Sequence, residues 1–233
     1  MIELIYSPKW FYGKDILFDI VSIFVLALIA YFSLKYYKIN KKNKNYLLFG
    51  SSFGLMALSF IFKIITNFTL YFNIIQTKQI GFTTFSYSAM QSSDILFTVG
   101  FLIYRILMLF GLFLLYLIYS KTNKTNIFLI LYLILISTYF SGSAYYVFHL
   151  TSLIFFVAIT IQYWRNYKST RQDSNKWLFY SFSLITLSQI IFVFIGITAY
   201  LYVAAESIQL LGYITLLIAF IKVLQDGKKK RKK

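Results

Sequence analysis

Long apolar stretches, each bounded by polar or basic residues, follow one another along most of the chain. Crossing about 30 Å of hydrocarbon takes roughly 20 apolar residues in a helix. We predict membrane-spanning helices at 16–36, 46–68, 97–119, 126–141, 145–164, 177–197 and 200–222. The pattern therefore predicts an all-α fold, a polytopic integral membrane bundle of seven transmembrane helices with a short fourth span. This domain, 15–227, lies between an outer interfacial segment at 1–14 and a polybasic tail at 228–233.

Basic residues follow alternate spans. The chain has 23 Lys and Arg against seven Asp and Glu, and most of the basic residues follow the first, third, fifth and seventh spans. Because Lys and Arg are enriched in cytoplasmic loops, this placement predicts an outer N-terminus and an inner C-terminus in the cell membrane. A net charge of +16 would indicate nucleic acid in a soluble chain. Here it instead predicts contact between the cytoplasmic face and anionic lipid headgroups.

The first and last thirds of the chain resemble each other. FDIVSIFVLALIAYFSLKYYK at 18–38 matches FHLTSLIFFVAITIQYWRNYK at 148–168 at a shift of 130 residues. The second and sixth spans match at a shift of 129, and the third and seventh at a shift of 101. These matches predict a parallel 3+1+3 repeat, although apolar helices also resemble each other by chance. The predicted parts are repeat 1 at 16–121, a linker helix at 126–141 and repeat 2 at 145–222.

The two copies differ in length at one place. The shifts imply 28 extra residues in the first copy, between its second and third spans. That segment, about 69–93, is polar and aromatic, and we expect it to form a long outer loop.

The charged side chains inside the predicted spans are the candidate residues of a functional site. Such groups are costly in hydrocarbon and usually face the bundle interior or a water-filled cavity. In the outer half of the predicted bundle they are Asp19, Lys63, Asp94, Arg105, His149 and Glu206. The repeat aligns Asp19 with His149 and Arg105 with Glu206, which predicts complementary pairs about a shared axis; Lys63 aligns with Phe192. The cluster is either an ion-pair network that fixes helix packing or an outer ligand site.

The sequence carries no recognised catalytic motif. HExxH, a GxSxG elbow and a glycine-rich phosphate loop are missing, and the chain has no cysteine. We therefore predict no enzyme activity, no catalytic residue, no cofactor and no metal. The leading hypothesis is a receptor-like or sensory module that binds a small ligand at the outer polar cluster and couples to a separate cytoplasmic signalling partner. The alternative is a small-solute or ion/proton-coupled transporter.

With Arg105 in the third span and Glu206 in the seventh, the predicted topology resembles seven-helix proteins of three-one-three plan. These include microbial rhodopsins, SWEET-type sugar transporters and receptor-like sensors. Rhodopsins hold retinal on a lysine in the middle of their seventh helix, whereas Lys222 lies at its inner end here. SWEET-type transporters have prolines in their repeated helices, whereas the single proline here is Pro8. WFYGKDILFDI and IQLLGY also resemble segments of uncharacterised archaeal multi-span proteins, a resemblance that implies no function.

Overall fold

The computed structural model is all-α. It describes the backbone of residues 7–11, 13–39, 41, 43–79, 83–120 and 124–231, and the side chains in these ranges except at 9, 68–97, 124 and 224–231. Within this part of the chain, a 3-10 turn at Lys9–Phe11 precedes seven helices. They are α1 Lys14–Ile39, α2 Lys44–Gln79, α3 Thr83–Leu117, α4 Lys124–Phe140, α5 Tyr146–Thr170, α6 Asp173–Val193 and α7 Ala199–Arg231.

Six of the described helices are long and apolar enough to cross a membrane. The stretches are Lys14–Ile39, Lys44–Asn67, Thr98–Leu117, Tyr146–Thr170, Asp173–Val193 and Ala199–Val223. Helix α4 is apolar but has only 17 residues, and at 1.5 Å per residue it is about 26 Å long. The structure thus confirms a bundle of long apolar helices. The membrane crossing of α4 stays a prediction.

The helices close into a ring. In ring order α1 packs on α2, α2 on α3, α3 on α5, α5 on α6, α6 on α7, and α7 on α1. Helix α4 lies outside this ring against α3 and α5. We call the end at which α1, α3, α5 and α7 begin the polar end, because Asp19, Lys63 and Glu206 lie there. The opposite end, which carries Lys38, Lys168 and Lys222, is the basic end.

Apolar side chains fill the ring and also cover its outside. Fully buried examples from different helices are Leu26, Ile29, Phe53, Met56, Leu112, Phe156, Phe182 and Leu216. Large apolar side chains on the outside include Phe24, Ile61, Phe128, Tyr139, Ile154 and Ile218. Lipid tails are as apolar as leucine, so an apolar exterior is expected of a bundle that packs in a bilayer.

Two glycines allow close helix contacts at matching places. A Cβ on Gly111 of α3 would lie 3.0 Å from the Ser52 carbonyl oxygen of α2, and the Ser52 hydroxyl donates a 2.6 Å hydrogen bond to the Gly111 carbonyl. A Cβ on Gly212 of α7 would lie 3.3 Å from the Ser181 carbonyl oxygen of α6. Small residues let helix backbones approach in this way. The α2–α3 and α6–α7 pairs are therefore packed alike.

The structure differs from the predicted boundaries at the segment 69–93. Helix α2 continues to Gln79 and α3 begins at Thr83, so most of the expected outer loop is helical backbone. The segment has no proline and only one glycine, Gly81, so little in it ends a helix. Length and polarity were therefore misleading signals for a loop.

The structure describes part of each terminal segment. In the interfacial segment 1–14, Met1–Tyr6 lie outside the described residues. Phe11 is buried, with its ring centroid 5.5 Å from that of Phe18 and 6.3 Å from that of Tyr202. Part of the segment thus packs on the bundle. At the other terminus α7 runs to Arg231, so the polybasic tail begins as helix; its side chains lie outside the described ones.

Candidate functional site

Lys63 joins the first and last helices at the polar end. Its Nζ atom lies 2.8 Å from Asp19 Oδ1 of α1 and 2.7 Å from Glu206 Oε1 of α7. The side chains of Asp19 and Glu206 are 1% and 4% exposed, and that of Lys63 is 13% exposed. We call these three residues the Lys63 triad. It is a nearly buried ion-pair network with two negative groups and one positive group.

One carboxylate oxygen of the triad accepts no hydrogen bond from the described residues. Asp19 Oδ2 is buried and has no hydrogen-bond partner in the part of the chain that the structure describes. Buried polar atoms are usually paired, and a buried charged oxygen without a donor is costly. This oxygen is therefore the point at which the triad is chemically incomplete.

A second carboxylate lies one helical turn before the triad. Asp15 is buried, and its Oδ2 accepts a 3.1 Å hydrogen bond from Asn67 Nδ2 of α2. Its Oδ1 accepts a 3.1 Å bond from the Ile16 backbone N–H. Asp15 and Asp19 are four residues apart and so share one face of α1. Asp15 was not predicted to belong to the site, although its spacing from Asp19 was a usable signal.

Arg105 and His149 lie in a separate cluster on the other half of the ring. Arg105 is buried, and its Cζ atom lies 3.4 Å from the ring centroid of Phe101 and 5.2 Å from that of Phe148. The half-buried His149 stacks on Phe192 with centroids 4.7 Å apart and planes 14° apart. Its Nδ1 is 3.0 Å from Gln189 Oε1. This cluster is mainly aromatic, in contrast to the Lys63 triad.

The pairs expected from the repeat alignment are not formed. Asp19 was expected opposite His149, and Arg105 opposite Glu206, but both carboxylates contact Lys63 instead. The reason is the ring order, because α7 packs on α1 whereas α3 packs on α5. The side chain of Asp94, the remaining predicted site residue, lies outside the described side chains. Of the six, the structure thus brings together Asp19, Lys63 and Glu206.

Aromatic residues lie next to the triad. Lys63 Nζ is 5.4 Å from the centroid of Phe60. Tyr202 precedes Glu206 by one helical turn and contacts Phe11 and Phe192. Among the described residues, no group of three or more His, Asp or Glu is arranged to hold a metal ion.

The basic end carries aromatic–cation contacts. Lys168 Nζ lies 4.9 Å from the ring centroid of Trp164, and Lys222 Nζ lies 4.3 Å from that of Trp177. Tryptophan and lysine are typical of the boundary between hydrocarbon and headgroups. The two ends therefore differ in chemistry, one with buried carboxylates and one with interfacial cations.

Fold and site together define a multi-span helical membrane protein with a buried ion-pair network near one end. No protein-family model matches the chain, and the comparisons with curated proteins and with solved structures gave no match either.

Proposed function

We propose that the chain is a receptor-like, sensory seven-helix protein of the cell membrane that binds a small ligand at the Lys63 triad. The observation that carries this proposal is the incomplete triad, in which Asp19 Oδ2 is buried and no described residue donates a hydrogen bond to it. A network that served only to fix helix packing would gain from pairing every buried oxygen. A ligand that supplies a donor would complete it.

The proposed orientation places the polar end outside and the basic end in the cytoplasm. The placement of Lys and Arg supports this, and the Trp164–Lys168 and Trp177–Lys222 contacts mark the basic end as a membrane interface. Anionic headgroups would bind there, and a separate signalling protein could use the same basic face.

A parallel duplication of three helices is part of the proposal. Exchanging α1, α2 and α3 with α5, α6 and α7 leaves the ring order unchanged, and α4 is the linker. The matched packing of Gly111 and Gly212 supports the same relation.

The two polar-end clusters also correspond under this exchange. Asp19 and Lys63 in the first half align with His149 and Phe192 in the second, and each pair is in contact. Glu206, from the last helix of the second half, reaches the first pair. Binding residues would thus have been kept in one copy and replaced by aromatic packing in the other.

Helix α7 provides a route for the signal. Glu206 lies near its start, and the helix continues to Arg231 at the basic end. At 1.5 Å per residue these two positions are about 37 Å apart. A ligand that changes the contact between Glu206 and Lys63 would shift α7 relative to α1 and α2, and a continuous helix would carry that shift across the membrane.

Single-cysteine labelling tests the proposal directly, because the chain has no cysteine of its own. Gln209, Leu216 and Ala219 descend the buried face of α7 from the triad towards the basic end. Each is replaced by cysteine and treated with a membrane-impermeant thiol reagent from either side. The lipid-facing Ile218→Cys, 40% exposed, is the control.

A sensor predicts labelling of Gln209→Cys from the outside alone, with Leu216→Cys and Ala219→Cys protected on both sides. Labelling of the two deeper positions from both sides, together with solute uptake into proteoliposomes, would contradict the sensory function and favour a transporter. Absence of labelling at Gln209→Cys from outside would contradict the proposal of an outer ligand site.

A further inference from the structure

We infer that the ligand of the Lys63 triad is a small protonated amine, a cation that carries N–H donors. This inference rests on the proposed ligand site and specifies its chemistry. It follows from the charge of the triad, the unused carboxylate oxygens and the aromatic side chains beside them.

The charge of the triad favours a cation. Two carboxyl groups, those of Asp19 and Glu206, share the single ammonium group of Lys63. Asp15 adds a further buried carboxyl group one turn away on the same face of α1. An anionic ligand would meet repulsion from these groups in a region of low dielectric constant. A monovalent cation would instead neutralise the remaining charge.

The hydrogen-bonding pattern favours N–H donors over a bare ion. Lys63 Nζ occupies Asp19 Oδ1 and Glu206 Oε1, so the second oxygen of each carboxylate is left for another donor. Asp19 Oδ2 is the buried one, without a partner among the described residues. Hydrogen bonds between a charged donor and a carboxylate are about twice as strong as neutral ones. An ammonium group therefore fits this oxygen better than a group with charge alone.

Aromatic rings near the triad fit an organic cation. Tyr202 lies one turn from Glu206, and Phe11 packs on it from the 3-10 turn. Phe60 already lies 5.4 Å from the Lys63 ammonium. Ring faces attract ammonium groups, most strongly where water is excluded. The same rings would pack against the carbon atoms of the amine.

Thermal stability of the purified, detergent-solubilised protein provides the test. Ethylammonium is compared with tetramethylammonium, sodium, acetate and glycine, all at equal ionic strength. Ethylammonium should raise the melting temperature in a saturable manner. Tetramethylammonium, which has the charge without N–H donors, and sodium should not. The Asp19→Asn variant should bind ethylammonium at least about tenfold more weakly, as expected for a lost charged hydrogen bond.

Asp173 supplies the matched control, because it is exposed in the first turn of α6 at the basic end. Asp173→Asn should respond to ethylammonium as the unmodified protein does. If Asp19→Asn does not fold, Glu206→Gln replaces it with the same expectation.

The outcomes separate this inference from the broader proposal. Stabilisation by glycine or acetate that is lost in Asp19→Asn would contradict the inference that the ligand is an amine, and would still support a ligand site at the triad. Equal stabilisation by tetramethylammonium or sodium would overturn the requirement for N–H donors. No stabilisation by any of the five, or an unchanged response in Asp19→Asn, would overturn the inference; the cysteine labelling separately tests the site.

Discussion

Replacing Lys63 by methionine should destabilise the protein strongly. Methionine has a similar length but no charge, so the substitution leaves Asp19 and Glu206 facing each other without the ammonium group between them. Removing one partner of a buried ion pair typically costs about 3–5 kcal/mol, because the other charge stays buried and unpaired. In this case two charges would be left.

The geometry gives an independent magnitude. Both carboxylate oxygens lie within 2.8 Å of Lys63 Nζ, so they can be at most about 5.6 Å apart. At an effective dielectric constant of about 20, two like charges at that distance repel by about 3 kcal/mol. The estimate agrees with the range for buried pairs, and we expect the free energy of unfolding to fall by about 3 kcal/mol.

Unfolding in mixed micelles, followed by tryptophan fluorescence, measures this change. Lys222→Met is the matched control, since that lysine lies over Trp177 and a cation–π contact at an accessible site contributes about 0.5–1 kcal/mol. The triple variant Asp19→Asn, Lys63→Met, Glu206→Gln should recover most of the loss, because it leaves no buried charge in the triad. If Lys63→Met and Lys222→Met differ by less than about 1 kcal/mol, the triad is not a buried ion-pair network.

Three further predictions use the same protein. Alanine at Gly111 or Gly212 should each lower the free energy of unfolding by about 1–3 kcal/mol, because a Cβ would come within 2.8 and 2.5 Å of the facing helix. Gly54→Ala, where the nearest atom is 3.9 Å away, should be near neutral; equal losses at all three would contradict the matched packing. Tyr119→Phe removes a 2.7 Å hydrogen bond to Tyr163 and should cost about 0.5–1.5 kcal/mol in the same unfolding assay. A reporter fused to the C-terminus should resist protease added to intact cells, because the C-terminus is proposed to lie in the cytoplasm. Digestion of the reporter would contradict the proposed orientation.

Local apolar pattern was enough to predict the helices. The span predicted at 16–36 corresponds to helix α1, Lys14–Ile39, and the span predicted at 145–164 corresponds to helix α5, Tyr146–Thr170. These helices are set by runs of apolar residues and end near basic residues or turns, which are local signals. The ends were less accurate where no local signal marks them, as at Gln79, where α2 continues beyond its apolar part.

The partners of the charged residues could not be predicted in the same way. Alignment of the repeats gives equivalent positions, but a contact depends on which helices are neighbours in the ring. Glu206 reaches Lys63 because α7 packs on α1, and Arg105 lies near Phe148 because α3 packs on α5. In the proposed duplication, equivalent positions lie across a two-fold axis from each other, which would separate Arg105 from Glu206.

This separation explains why Lys63 is central although the repeat gave it no charged counterpart. A basic residue at the equivalent position, Phe192, would face His149 and not a second carboxylate. Among the described residues, Lys63 of α2 contacts Asp19 of α1 and Glu206 of α7, so one ammonium group joins three helices there. If the bundle is duplicated as proposed, its asymmetry is concentrated at this site, and substitutions there should affect the contact between α1 and α7 more than the contact between α3 and α5.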